Sequence, residues 1–301
     1  MNKFKKLLTI VALSSASLFA NANSIQIDAY NDYDNDGDSV TAFFDYFTFN
    51  LINPTSSYID LEGDGVEQGD LVFDSAFGIS VASLNPTSQD EALNINFPGL
   101  GLQGYELTAN YELAGVTGFN DTNNNGFHDT GEQLGANFFG GYFDLNLVDI
   151  ATGTAIDVLD LAITGSQFQL GGSALSFDLY ADIVSVADNF INFSSTFFGS
   201  TDLHDIIQNP NNGGAKAVAT TEIANAGVAP TVDPGYVTTA FQDQVMSDLN
   251  VTLGKDSVIH TRVTELTSTN LRVDVTEPST VAILGLALLG FGFTARNKKQ
   301  S

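Results

Sequence analysis

The sequence predicts an all-β fold, an antiparallel sandwich or jelly roll carrying Asp/Asn/Gly-rich calcium-type loops and followed by a C-terminal apolar helix. Apolar and polar residues alternate with period two in many segments, a pattern that buries one face of a strand and wets the other. These runs are rich in Thr, Val, Ile and the 23 Phe, and clusters of Asn, Asp and the 28 Gly separate them. Gly, Asn and Asp are the residues that turn a chain. Short strands between such turns favour antiparallel pairing over βαβ units.

Met1-Asn2-Lys3-Phe4-Lys5-Lys6 precedes an apolar run from Leu7 to Phe19 and then Ala20-Asn21-Ala22. A basic start, a run too short to span a bilayer and an A-x-A exit describe a cleavable signal peptide over 1–22. The body, 23–276, is expected to be one exported acidic β-rich domain. Its clearest strands are Tyr105-Leu107-Ala109-Tyr111-Leu113, Phe143-Leu145-Leu147, Leu175-Phe177-Leu179-Ala181-Ile183 and Leu271-Val273-Val275. The only helical spacing in the body is Phe241, Val245 and Leu249 within Tyr236 to Asn250. Asn209 to Gly214 and Ala229 to Gly235 read as loops. No period of roughly 20 to 50 residues repeats, which sets solenoids and propellers aside.

At the other end Glu277-Pro278-Ser279-Thr280 leads into an uncharged stretch, Val281 to Ala295, and Arg296-Asn297-Lys298-Lys299 follows at once. As a helix, 281–295 reaches roughly 22 Å against a hydrocarbon core of ~30 Å, so local thinning or snorkelling lysines close the gap. The basic tail is expected to stay cytoplasmic, which puts the body outside the inner membrane.

Six of the ten Lys and Arg lie in these two ends, and all thirty-six Asp and Glu lie between Asp28 and Glu277. Only Lys216, Lys255, Arg262 and Arg272 remain to oppose those acids, a formal charge of −32 for the body. Such a surface repels nucleic acid and anionic lipid and attracts divalent cations. The absence of cysteine from an exported chain leaves stability to the core and to bound metal.

The order Glu277-Pro278, a short glycine-containing apolar segment and a basic tail resembles the PEP-CTERM sorting signal over 277–301. The first proline of the family's Pro-Glu-Pro is replaced here by Thr276. The resemblance implies recognition by an exosortase, a membrane peptidase of Gram-negative bacteria that secrete exopolysaccharide, after Sec export. A patchier likeness to flocculation-associated PEP-CTERM proteins rests on Ile59-Asp60-Leu61-Glu62-Gly63-Asp64-Gly65 with Gly69-Asp70, and on Ser176-Phe177-Asp178-Leu179-Tyr180. That likeness implies a role in cell aggregation or biofilm matrix.

The sharpest internal motif is Asp121-Thr122-Asn123-Asn124-Asn125-Gly126-Phe127-His128-Asp129-Thr130-Gly131-Glu132, which has the spacing of a twelve-residue calcium loop. Asp121, Asn123, Asn125, the Phe127 carbonyl, Asp129 and Glu132 are the expected ligands, with Gly126 at the sharp turn. The alternative is an Asx-rich turn without metal. Affinity is expected on the order of 10⁻⁴ to 10⁻³ M. Two weaker candidates are the turn bearing Asp32, Asp34, Asp36 and Asp38 and the turn bearing Asp60, Glu62, Asp64 and Asp70.

Catalytic motifs are lacking: there is no G-x-S-x-G elbow, P-loop, H-E-x-x-H or dinucleotide fingerprint. His128, His204 and His260 are the only histidines. His204, between Asp202 and Asp205, reads as an exposed loop residue, and His260 as a structural one. The expected function is therefore non-enzymatic: an exosortase-sorted, calcium-stabilised surface or matrix protein that associates with acidic exopolysaccharide or with other cells. The alternative is an extracellular carbohydrate-binding protein or carbohydrate-active enzyme, with Tyr and Phe standing in for the absent Trp as sugar platforms.

Overall fold

The computed structural model describes residues 24–28, 41, 43–85, 105–171, 174–193, 202–208 and 215–275. The signal peptide at 1–22, the turn with Asp32 to Asp38, the loop at 209–214 and the sorting segment with its apolar helix at 281–295 lie outside the described residues.

Thirteen strands carry the described fold. β1 (Ile25–Ile27) pairs with β9 (Ile191–Phe193) in a separate two-stranded sheet, and its Ile25 also bridges Phe44. The remainder are β2 (Tyr46–Ile52), β3 (Thr55–Asp60), β4 (Leu71–Asn85), β5 (Tyr105–Phe119), β6 (Leu134–Asp149), β7 (Ala155–Gly171), β8 (Ala174–Val186), β10 (Ala215–Ile223), β11 (Thr231–Val232), β12 (Val258–Val263) and β13 (Leu266–Val275). All four strands read from alternation are present, in β5, β6, β8 and β13. The Ala229 to Gly235 stretch, expected to be loop throughout, supplies β11, whose two residues pair with Thr261 and His260.

The expected sandwich or jelly roll is corrected to a closed antiparallel barrel of eight strands. Closure depends on β4, which pairs with β2 and β3 on one side and with β5 on the other. The ring runs β4, β2, β13, β10, β8, β7, β6, β5 and back to β4. Phe47↔Leu271, Ile52↔Leu266, Thr55↔Val263 and Asp60↔Val258 keep one register, so β2–β3 and β12–β13 are two halves of a single ladder. Pro54 interrupts it because proline has no N–H to give, yet its carbonyl still accepts from Thr264 N at 2.9 Å.

Alternation sorts the wall into an apolar lumen and a polar exterior. Phe47, Phe49, Leu107, Leu145, Leu161, Leu175, Leu271 and Val273 are buried in one cluster inside. Outside, Lys216 meets Asp182 and Thr220 meets Asp178 across neighbouring strands, and Arg272 meets Asp274 along β13. A membrane barrel needs the opposite, an apolar outward band. The mid-lumen keeps an apolar cavity of about 40 Å³ bordered by Ala181, Ala217 and Ala219.

Bulges bend these long strands into a cylinder, as bulges do. Between β5 and β6, Ala114↔Gly140 and Gly115↔Phe138 leave Phe139 as the extra residue. Gly141, two residues on, has φ +139°, and a Cβ there would strike the Glu112 carbonyl. Gly141→Ala is expected to cost roughly 1–3 kcal/mol, read as a lower urea midpoint at unchanged slope; an unchanged midpoint would show that the bulge can relax.

The described helices are α1 (Leu203–Gln208) and α2 (Ala240–Asp248). The second is shorter than the Tyr236 to Asn250 expected, because a Thr239–Gln242 capping box starts it and Leu249 caps its end. Phe241, Val245 and Met246 lie on the outer wall over Ile59, Leu71, Phe73 and Ala114. Among the described residues no helix is long and apolar enough to cross a membrane.

Strand direction defines two barrel ends. At one, here the tail end, β13 stops at Val275 beside Ala215 of β10. At the other, the loop end, β3 joins β4 through 61–70 and β5 joins β6 through 120–133.

Candidate functional site

Both acidic loops with sequence-derived metal candidates in the described chain sit at the loop end, and the fold stitches them together. Glu67 bridges Phe127, His128 N donates to Val66 O at 2.9 Å, and Thr117 N donates to Asp70 O at 2.8 Å. A third connection joins them where Gly131 N donates to Gly227 O at 3.0 Å.

Within 121–132 the side chains fold inward on short reach. Asp121 accepts from Asn125 N at 3.1 Å and from Gly126 N at 2.9 Å. Gly126, at φ +87°, makes that turn affordable only to glycine-like backbone. Asn123 Nδ2 and Asn125 Nδ2 both donate to Asp129 Oδ2, at 2.7 and 2.8 Å. Glu132, only 4% exposed, closes the loop: one oxygen accepts from Thr122 N at 2.7 Å and Oγ1 at 2.8 Å, the other from Asp129 N at 3.0 Å. Those backbone donors, Asp129 first and then Thr122, hold the Glu132 carboxyl below its usual pKa.

Asp121, Asn123, Asn125, Asp129 and Glu132 thus share one loop, with Phe127 against its neighbour. Among the described residues no group of three or more His, Asp or Glu side chains is arranged to hold a metal ion. The donor set here depends on the two asparagines, whose amide nitrogens face Asp129. Their amide oxygens accept from backbone, Asn123 Oδ1 from Asn125 N at 3.0 Å and Asn125 Oδ1 from Phe127 N at 2.8 Å, which is the bonding of an Asx-rich turn built from oxygens of the hard type that calcium takes.

The 60–70 loop is different. Asp60, buried, accepts from Gly63 N at 2.6 Å and Gly65 N at 2.9 Å and lies 3.3 Å from His260 Nε2, which makes it a turn-former. Glu62 and Asp64 are exposed beside it. Asp70 accepts from Glu67 N at 2.7 Å, and burial pushes its pKa up to about 6.

The histidines are tied to backbone or to Asp60. His128 Nε2 is 3.0 Å from Glu132 O, its ring meets Phe119 edge-on at 5.6 Å, and burial lowers its pKa. His204 Nδ1 is 3.0 Å from Val186 O, a contact that raises its pKa and makes it a half-buried anchor at α1 in place of the exposed loop residue expected.

Sequence reasoning missed two polar clusters. Inside the lumen Asp74 accepts from Ser56 Oγ and from Tyr111 OH at 2.8 Å, while Arg262 lines the same cavity. On the outer wall Asp144 and Asp157 gather around Asp160, and burial first, Asp160 second, raises both to about 6. The signal for the outer group was alternation: Asp144↔Asp160 and Asn146↔Asp157 are cross-strand pairs on one face. No local signal marks Asp74, since an inward acid alternates like an outward one.

No curated protein and no solved structure matches the chain. Residues 274–299 match the PEP-CTERM protein-sorting motif, and that match begins at Asp274, inside β13. The chain therefore carries the PEP-CTERM protein-sorting motif at its C-terminus, the mark of an exported, surface-sorted exosortase substrate.

Proposed function

We propose that this protein is a non-enzymatic, calcium-stabilised component of the cell surface or extracellular matrix, which joins cells or acidic polysaccharide in flocculation or biofilm. The observation that carries it is the sorting motif fused directly to a barrel whose loop end presents two joined acidic loops. Sec export and signal-peptide removal deliver the barrel outward. The 281–295 segment holds it in the inner membrane as an anchored intermediate, and exosortase then processes the tail. Calcium supplies a cross-link between the acidic surface and anionic polymer when bound; Asp121, Asn123, Asn125, Asp129 and Glu132 would hold it.

Sedimentation of the producing strain against an in-frame deletion, across a calcium titration with EGTA controls, tests the role. Calcium-dependent clumping should vanish in the deletion and return with the gene; unchanged clumping at every calcium level rejects it. For the metal itself, Glu132→Gln is expected to weaken calcium binding at least about tenfold by calorimetry, since it removes the closing bidentate ligand. Equal affinity in both proteins would move the site elsewhere.

Carbohydrate binding is the second reading, favoured by Phe77 at 60% exposure and Phe139 at 45%, each projecting from a bulge on the outer wall. Phe139→Ala, compared with wild type on a glycan array, separates it from the first.

A further inference from the structure

The sorting motif begins before the barrel ends. Asp274 and Val275 belong both to the matched segment and to β13, where they pair with Lys216 and Ala215. Only residues 276–280 separate the last paired residue from the apolar stretch that starts at Val281. Six steps of chain span at most about 20 Å fully extended, and part of that is used in crossing the headgroups.

The barrel is longer than this tether. β5 runs from the tail end to the loop end in 15 residues, which at ~3.3 Å per residue and a tilt of about 40° makes an axial length of about 38 Å. With the loop end against the bilayer, the chain exit would stand farther from the membrane than the tether reaches. The exit is on the opposite rim, so an anchored chain cannot stand with its loop end on the lipid.

The tail-end rim presents exposed apolar side chains. The β6–β7 hairpin closes there, with Asp149 N donating to Thr154 O at 2.9 Å and Gly153 N to Asp149 O at 2.7 Å, and Ile150 at its tip is 64% exposed. Val184, near the end of β8 on the same rim, is 62% exposed.

We propose that the tail-anchored protein stands end-on, its tail-end rim against the outer surface of the inner membrane and its two joined acidic loops facing away. The occupant of the rim is the lipid headgroup surface. This inference rests on the anchored intermediate proposed above. Its consequence is that Asp121 to Glu132 and Asp60 to Asp70 are presented to soluble cations and polymer before exosortase releases the barrel, and are not spent on lipid.

The chain has no cysteine, so one introduced thiol reports one place. Ile150→Cys and Thr130→Cys, both at exposed positions outside the candidate ligand set, are labelled with a donor fluorophore in the full chain. Each is isolated in inner-membrane vesicles from cells lacking exosortase, with acceptor-labelled headgroups added. Energy transfer several-fold higher at position 150 than at 130 is the expected result. Equal transfer, or higher transfer at 130, overturns the end-on arrangement while leaving anchoring intact. Failure of the full chain to float with the vesicles overturns the anchored intermediate and this inference with it.

Discussion

Arg262→Ala is expected to lower the free energy of unfolding by about 3–5 kcal/mol, because three backbone carbonyls lose a charged donor at about 1–3 kcal/mol each where buried. Arg262 is buried on β12. Its Nη1 donates to Ala226 O and Val228 O, each at 3.2 Å, and its Nη2 to Leu134 O at 3.3 Å. The guanidinium lies 5.8 Å from the centre of the Tyr58 ring. One side chain thus binds three parts of the loop end: β12, the connection after β10, and the start of β6. Truncation strands buried carbonyls at about 1–3 kcal/mol each where water does not replace the donor. It also removes the positive charge that favours ionised Asp74. Arg262→Lys should recover only part of the loss, because an ammonium cannot fork toward three carbonyls. Urea midpoints at constant slope measure both; a loss below about 1 kcal/mol would mean that water takes over the carbonyls.

The strands were legible because period-two alternation is a local signal, and Leu175 to Ile183 or Leu271 to Val275 shows it without interruption. Closure was not. β4 chooses between one neighbour and two through contacts with β2, β3 and β5, and nothing in Leu71 to Asn85 distinguishes a barrel wall from a sandwich sheet. The bulges hid strand length as well: Ala114-Gly115 and Gly140-Gly141 break the alternation where the ladder continues. In α2 the capping box Thr239–Gln242 was readable, while Leu249, counted as part of the helical face, is its C-cap and 47% exposed. The spacing of Asp121 to Glu132 was sufficient to place five side chains in one loop. Its union with the 60–70 loop was not readable, because Glu67 and Phe127 meet only once β4 and β5 are paired.

Raising the pH from about 5 to about 7.5 is expected to weaken the fold, with Asp74 the largest single cause. Burial in the lumen pushes its pKa from an ordinary 3.8 up to about 6, against the opposing pull of Ser56, Tyr111 and Arg262. Below about pH 4 the carboxyl is protonated in folded and unfolded chains alike, and its contribution is fully present. Between about 4 and 6 the unfolded chain gives up the proton while the folded one keeps it, so stability falls with rising pH; above the folded pKa the contribution is gone. The whole window of about two units corresponds to about 3 kcal/mol, of which the part above pH 5, about one unit, is about 1.4 kcal/mol. Asp70, Asp144 and Asp157 are shifted the same way and add smaller amounts, since solvent screens them. Glu132 and Asp149, held below their ordinary values, act oppositely and lose stability only as the pH drops toward and below that range. Maximum stability therefore falls on the acid side of neutrality. Asp74→Asn keeps an acceptor for Tyr111 and cannot ionise, so it should remove most of the difference between the two pH values; an undiminished difference in the mutant would assign the pH dependence to the wall and loop acids instead.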